Sequence, residues 1–485
     1  MLLLLFFIIS ILILVFTPFN EDVLLSFGSS YQGHYYSHFP QSLYTYWNLR
    51  GLGYKVYISL LRIVLEHMTS TQHLLRFQVF GNIFYYSFFL GMSFVAFYML
   101  RKVLAPIQDW KVCFVFFVAS LATICTEVHL QAEEMGLFVV LMMAAFAFSE
   151  RKSLQLLSGL FVPLLFLLKV ITILYAGFVY VPLLFFYRKN LAKTIPILAS
   201  GAIFSVAWFA VYAHFFPQEL IDTAGGLVYQ STISHSVVQT VGRFVIRTPE
   251  WLIINCLYMP VMGLGLWATF GFLRKRYAEK QVAILISVVA LYAIPYVYVF
   301  LQHKFFIYHY MPFLVPVFIV LALTTNRLET LLPRLFVLWF ALECVASPWI
   351  LNNEESFISS YRFNASILSS SEKIKHVIPI QETILLLSGG EITFFIHNQS
   401  YLREPYPLPI QRAQIYPEVA FSPLHLAAVH KALAYQGRYV ILQKNWFRLS
   451  YPTELRDKLQ SEYRSVYEDK VYQVFERTLP RAVFK

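Results

Sequence analysis

The chain has 485 residues, of which 58% are hydrophobic, 18% aromatic and only 13% charged, with a formal net charge of +11. Soluble domains carry roughly a quarter charged residues, so this composition, with a mean hydropathy of +0.59, excludes an ordinary soluble enzyme and predicts a polytopic membrane protein. The positive balance does not point to nucleic acid, because much of the Lys/Arg excess falls in short loops between apolar runs, where it orients helices.

All four cysteines (Cys113, Cys125, Cys256, Cys344) lie in or at the ends of apolar runs, so no disulfide framework is visible. Met1 to Phe16 is almost wholly apolar but lacks a charged leading region and a small-residue cleavage site before Glu21, which reads as a retained first helix. A ruler of ~20 apolar residues per ~30 Å of hydrocarbon gives about eleven candidate spans. They fall near 2–18, 76–100, 112–126, 136–149, 154–168, 170–187, 194–215, 251–272, 281–301, 306–324 and 332–350. The pair at 154–187 has almost no polar turn and reads as a bent helix or tight hairpin broken near Lys169.

With that count, the cationic loops at Arg101, Lys102 and Lys111, at Arg151 and Lys152, at Arg188, Lys189 and Lys193, at Arg274 to Lys280, and at Arg327 and Arg334 share one side. The positive-inside rule assigns that side, and the N-terminus, to the cytoplasm. The long first loop at 19–75 and the chain after 350 then face outward. Within the loop, Lys55 to His67 has apolar residues at helical spacing with charges opposite, the pattern of a helix lying on the bilayer. Gly225-Gly226 and a Ser/Thr-rich stretch in the loop at 216–250 suit a mobile cover.

After Pro348 polar residues become frequent. Thr383 to Leu387, then Ser388-Gly389-Gly390, then Glu391 to His397 reads as strand, turn and helix; Arg438 to Gln443 as a buried strand; Thr453 to Tyr463 as a helix; Ser465 to Tyr467 with Val471 to Phe475 as a hairpin. The expected fold is mainly α: a transmembrane helical bundle over 1–350 followed by a small α/β extracytoplasmic domain over 351–485. Asn364-Ala365-Ser366 and Asn398-Gln399-Ser400 fit the glycosylation sequon.

Four places carry possible chemistry. Glu21 and Asp22 directly follow the first apolar run, where two carboxylates can serve as a general base or hydrogen-bonding anchor for an acceptor hydroxyl at the outer face. A solvated helix end is the plainer reading. The loop that follows favours chemistry, because Tyr31, His34 and Trp47, among further tyrosines and histidines, are residue types that stack on sugar rings and bind their hydroxyls. Glu127, His129, Glu133 and Glu134 form a second acidic cluster in the next outward loop, with Glu133 or Glu134 facing the same site or binding metal. His129 and Glu133 have the i, i+4 spacing of a helical metal pair, yet two ligands do not define a site, so a divalent metal is allowed without being indicated. Lys169 lies in Leu167-Leu168-Lys169-Val170-Ile171, where a cation at mid-depth costs ~2.5–3.5 kcal/mol and so reads as a functional cation for a donor phosphate, unless it marks a turn and snorkels to the surface. Finally, Lys304, Tyr308 and His309 sit in Gln302 to Pro312, at the outer end of a span, as a point charge and two donors for an anion such as phosphate. An interfacial aromatic and cationic anchor is the alternative.

With these pieces in place the chain resembles the membrane glycosyltransferases of superfamily C (GT-C), the group that includes protein O-mannosyltransferases and bacterial aminoarabinose transferases. The resemblance rests on the first helix, the acidic long outer loop, the second acidic loop, the helix pair around Lys169, the segment of Lys304 to His309 and the outward tail. It implies that an acid just after the first helix, here Asp22 or Glu21, serves the acceptor; the order Glu then Asp reverses the common pattern. It also implies a polyprenyl-phosphate sugar as donor. A site on the outer face has no cytosolic nucleotide sugar, and a phosphate leaves without needing a second acid. A glycan, lipid or protein would accept the sugar, with inversion at the anomeric carbon, in the inner membrane of a bacterium. A transporter or flippase of lipid-linked sugars is the alternative from another class. A polymerase or ligase using lipid diphosphates would favour outer loops richer in Arg than this chain has, with only Arg243 and Arg247 in its short ones.

Overall fold

The computed structural model describes residues 2–19, 23–24, 26–28, 52–70, 73–105, 109–128, 130–186, 191–217, 220, 267–275, 282–302, 311–324, 357–388, 390–402, 423–444 and 452–478. It is mostly helical with one small sheet. Apolar runs fold as helices in chain order: α1 (Leu2–Phe16), α2 (Leu52–Met68), α3 (Leu74–Leu104), α4 (Trp110–Val128), α5 (Ala132–Ala147), α6 (Lys152–Leu157), α7 (Phe161–Leu168), α8 (Gly177–Phe186), α9 (Leu191–Phe215), α10 (Val282–Gln302) and α11 (Leu314–Thr324). A 3-10 turn at Ser158–Leu160 links α6 to α7, and a seven-residue 3-10 segment at Val170–Ala176 leads into α8. The expected break near Lys169 is present: its backbone is extended (φ −164, ψ 135) between α7 and the second 3-10 segment. Thr172 closes that break by donating its hydroxyl to the carbonyls of Leu165 and Lys169.

Among the described residues two helices, α3 and α9, are long and apolar enough to cross a bilayer, and several shorter apolar helices accompany them. Eleven full spans are therefore not shown; the expected span at 332–350 and most of 251–272 and 216–250 lie outside the described residues. Close helix contacts use small residues. A Cβ on Gly159 would lie 2.5 Å from the Gly201 nitrogen of α9, so only glycine lets these backbones meet.

The tail opens with α12 (Phe357–Val377), then β1 (Ile384–Leu387), α13 (Thr393–Ile396), α14 (Pro423–Leu433), β2 (Tyr439–Gln443), α15 (Thr453–Glu462), β3 (Tyr463–Glu468) and β4 (Tyr472–Arg477). The sheet order is β1-β2-β4-β3, with β1 and β2 parallel and the other pairs antiparallel. Alternation splits each central strand. Leu385, Leu387, Val440 and Leu442 join a core with Ala432 of α14 and with Leu455 and Leu459 of α15. Ile384, Leu386, Tyr439, Ile441, Tyr472 and Val474 instead belong to the same apolar core as Leu14, Phe77 and Phe138 of the helical part. The sheet therefore shares its inner face with the bundle.

Candidate functional site

Eight of the expected site residues, Glu21, Asp22, Tyr31, His34, Trp47, Lys304, Tyr308 and His309, lie outside the described residues, as does His129. Glu133, Glu134 and Lys169 are described, and the geometry around them is unusual for an apolar interior.

Helix α4 ends at Val128, Leu130 takes a left-handed conformation (φ 54), and α5 begins at Ala132. This break corrects one expectation, because the two acids do not occupy an open loop. The His129 half of the expected metal pair lies outside the described residues, and among the described residues no group of three His, Cys, Asp or Glu could hold a metal. Both acids stand in the first turn of α5, where the helix dipole favours anions, and both are sealed, at 0% and 2% exposure.

Their surroundings differ. Glu134 is held by neutral donors: its Oε2 accepts from the Tyr85 hydroxyl and the Leu130 N–H, both at 2.9 Å, and its Oε1 from the Tyr86 hydroxyl at 3.0 Å. The backbone donor is a variant of the capping box, in which an N3 glutamate reaches back past the helix start. Glu133 is held by charge. Its Oε1 lies 2.5 Å from Lys169 Nζ and accepts from the Tyr298 hydroxyl at 3.1 Å. Lys169 is buried too, so the cation expected to face a phosphate is committed, in this state, to a carboxylate.

Two tyrosines tie this centre to the segments that carry the undescribed residues. Tyr54 of α2 donates to the Leu130 carbonyl at 3.0 Å and stands 3.2 Å from Ser26 Oγ, four positions beyond Asp22. Tyr298 stands on the last turn but one of α10, whose end at Gln302 leads to Lys304. Flanks of the opening acids, the second acidic turn, Lys169 and the approach to Lys304 thus meet at one end of the bundle.

Sequence reasoning missed Tyr54, Tyr85, Tyr86 and Tyr298, which in an aromatic-rich chain carry no local signal. It also missed Asn82, an amide inside an apolar run, which is itself a signal. Both sequon asparagines are buried and engaged: Asn364 Nδ2 donates to the Phe19 carbonyl at 2.7 Å, and Asn398 Nδ2 to the Pro379 carbonyl at 2.8 Å. Neither is open to a glycosylating enzyme in the folded chain.

No protein-family model, no curated protein and no solved structure matches this chain.

Proposed function

We propose that the chain is an integral membrane glycosyltransferase of the GT-C kind, which moves a sugar from a polyprenyl-phosphate donor to a glycan, lipid or protein acceptor at the outer face. The observation that carries this reading is the meeting at one end of the bundle of Ser26, Tyr54, the turn of Glu133 and Glu134, Lys169 and Tyr298. Embedding in a bilayer accounts for an inverted surface: Ile203, Val206 and Phe209 of α9 are 67%, 71% and 52% exposed, a costly face in water and a suitable one in lipid. At the other end of α3, Tyr98 carries the Arg101 guanidinium 3.9 Å from its ring centre and packs on Trp110, an aromatic and cationic belt of the interfacial type. The polytopic topology of about eleven spans, with the N-terminus inside and residues 351–485 outside a bacterial inner membrane, belongs to this proposal.

In it, Asp22 or Glu21 takes the proton of the acceptor hydroxyl, and Tyr31, His34 and Trp47 hold sugar or acceptor. Lys304, Tyr308 and His309 receive the departing phosphate, assisted by Lys169 when the donor draws it from Glu133. Charge on the phosphate oxygens grows as the glycosidic bond breaks, so fixed cations stabilise the transition state more than the ground state. The second reading, a transporter or flippase of lipid-linked sugars, is favoured by the buried Glu133–Lys169 pair, because intramembrane ion pairs also serve coupling and relay.

Purified full-length protein reconstituted in sealed lipid vesicles, given a radiolabelled polyprenyl-phosphate sugar and candidate acceptors, separates the two. Transfer that falls by roughly 10²-fold or more in Asp22→Asn or Glu21→Gln supports the first. Wild-type rates in both variants and in their combination would remove the proposed base. Movement of labelled donor across vesicles without transfer would establish the second reading.

A further inference from the structure

The stretch that delivers the opening acids is gripped from two sides. Helix α1 ends at Phe16, and its last carbonyls have no partner within the helix. Asn82 of α3 supplies one: its Nδ2 donates to the carbonyls of Val15 and Thr17, each at 2.8 Å. Asn364 of α12 supplies the next, donating to the Phe19 carbonyl at 2.7 Å across a separation of 345 residues. Both asparagines are fully buried, so water cannot replace either donor.

Beyond the acids the same two parts close again. The Phe27 ring meets Phe77 of α3 at 5.6 Å and Phe394 of α13 at 6.0 Å, while Phe19 stacks on Phe27 at 5.4 Å. Gly28 touches the tail so closely that a Cβ there would lie 2.0 Å from Thr393 Oγ1. Both arms of the chain around Glu21 and Asp22 are therefore fixed jointly by α3 and by the C-terminal domain.

We propose that Asn82 and Asn364 are positioning residues for the acidic pair, so that the C-terminal domain is a working part of the transfer site and not an appended module. The inference rests on the glycosyltransferase reading for its consequence and on the hydrogen bonds alone for its mechanics, and the test separates the two. The full chain in nanodiscs is compared with Asn82→Ala, Asn364→Ala and Gly28→Ala by hydrogen exchange, read at peptides covering 15–28 and, as a folding control, at α9. Exchange at 15–28 rises about tenfold or more with α9 unchanged. In the transfer assay kcat falls at least about tenfold while KM for the polyprenyl-phosphate donor stays within about twofold, because the donor's cations are untouched. Asn364→Gln, which keeps the donor group, recovers part of both. Gly28→Ala reports from the opposite arm should an asparagine variant fail to fold.

Unchanged exchange at 15–28 in the folded variants overturns the clamp. Faster exchange with wild-type kcat overturns its positioning role. Should the wild type transfer no sugar from any donor, the proposed function fails, and exchange alone then decides whether the two asparagines hold the segment.

Discussion

Glu133 carries its charge where charge is expensive, and Lys169 answers it inside the same apolar interior. A buried ion pair repays its desolvation only in part, and removing one partner strands the other. Glu133→Gln and Lys169→Met should each cost about 3 kcal/mol or more, whereas the double variant should cost less than their sum by about 2 kcal/mol. A double-mutant cycle read from unfolding in detergent micelles measures this, and strict additivity would contradict a direct charge pair. Lys169 was legible as a lone cation in an apolar run, and Glu133 as part of an acidic cluster. Their pairing was not, because it joins positions 36 residues apart. The phenols of Tyr85, Tyr86 and Tyr298 were hidden for a related reason: among 32 tyrosines nothing local marks the ones that hold Glu133 and Glu134.

At the scale of elements, long apolar runs announced themselves. Expected helices near 2–18, 76–100 and 194–215 appear as Leu2–Phe16, Leu74–Leu104 and Leu191–Phe215, and the helix expected over Lys55 to His67 appears as Leu52–Met68. In the tail, the strand at Arg438 to Gln443 and the closing hairpin were readable from β-branched and aromatic runs. Helices α12 and α14 were not foreseen. Sequences such as Ser369-Ser370-Ser371 in the first dilute the apolar stripe, and only its contacts with the bundle complete the helix.

The short helix α13 makes the tail sensitive to acid. His397 follows it in a left-handed conformation with its Nε2 3.0 Å from the Phe394 carbonyl. Burial pushes its imidazole down to about 4, with Lys375 and Arg62 pressing the same way and the Phe394 carbonyl opposing them. An unfolded histidine titrates near 6.5. Between those values the unfolded chain binds a proton that the folded domain refuses, so stability is fully present above about 6.5 and is lost as pH falls toward 4, by of order 2–3 kcal/mol. Glu391 acts with the opposite sign, since burial raises its carboxyl and the folded form keeps a proton that the unfolded chain releases above about 4.5. Thermal melts of His397→Gln between pH 7 and 4.5 should lose less stability than the wild type over that range; parallel curves would contradict the assignment.

At the scale of the whole molecule, one apolar core runs from α1 through the bundle into the inner face of the tail sheet. Composition separates 1–350 from 351–485, but packing does not, because Phe394 of the tail packs on Phe77 of α3 and Asn364 holds the Phe19 carbonyl just past the end of α1. Sequence reasoning recovered the two compositions and could not see their joint, which consists of contacts between residues hundreds of positions apart. The joint puts the tail at the same end as Glu133 and Lys169, away from the end where Lys102 and Glu150 pair in the open.

The most direct test is a map of the full-length chain in nanodiscs saturated with polyprenyl phosphate. The account predicts phosphate density beside the start of α5, within hydrogen-bond reach of Lys169 or Lys304. Density at the Lys102–Glu150 end, or none at saturating lipid, would contradict it.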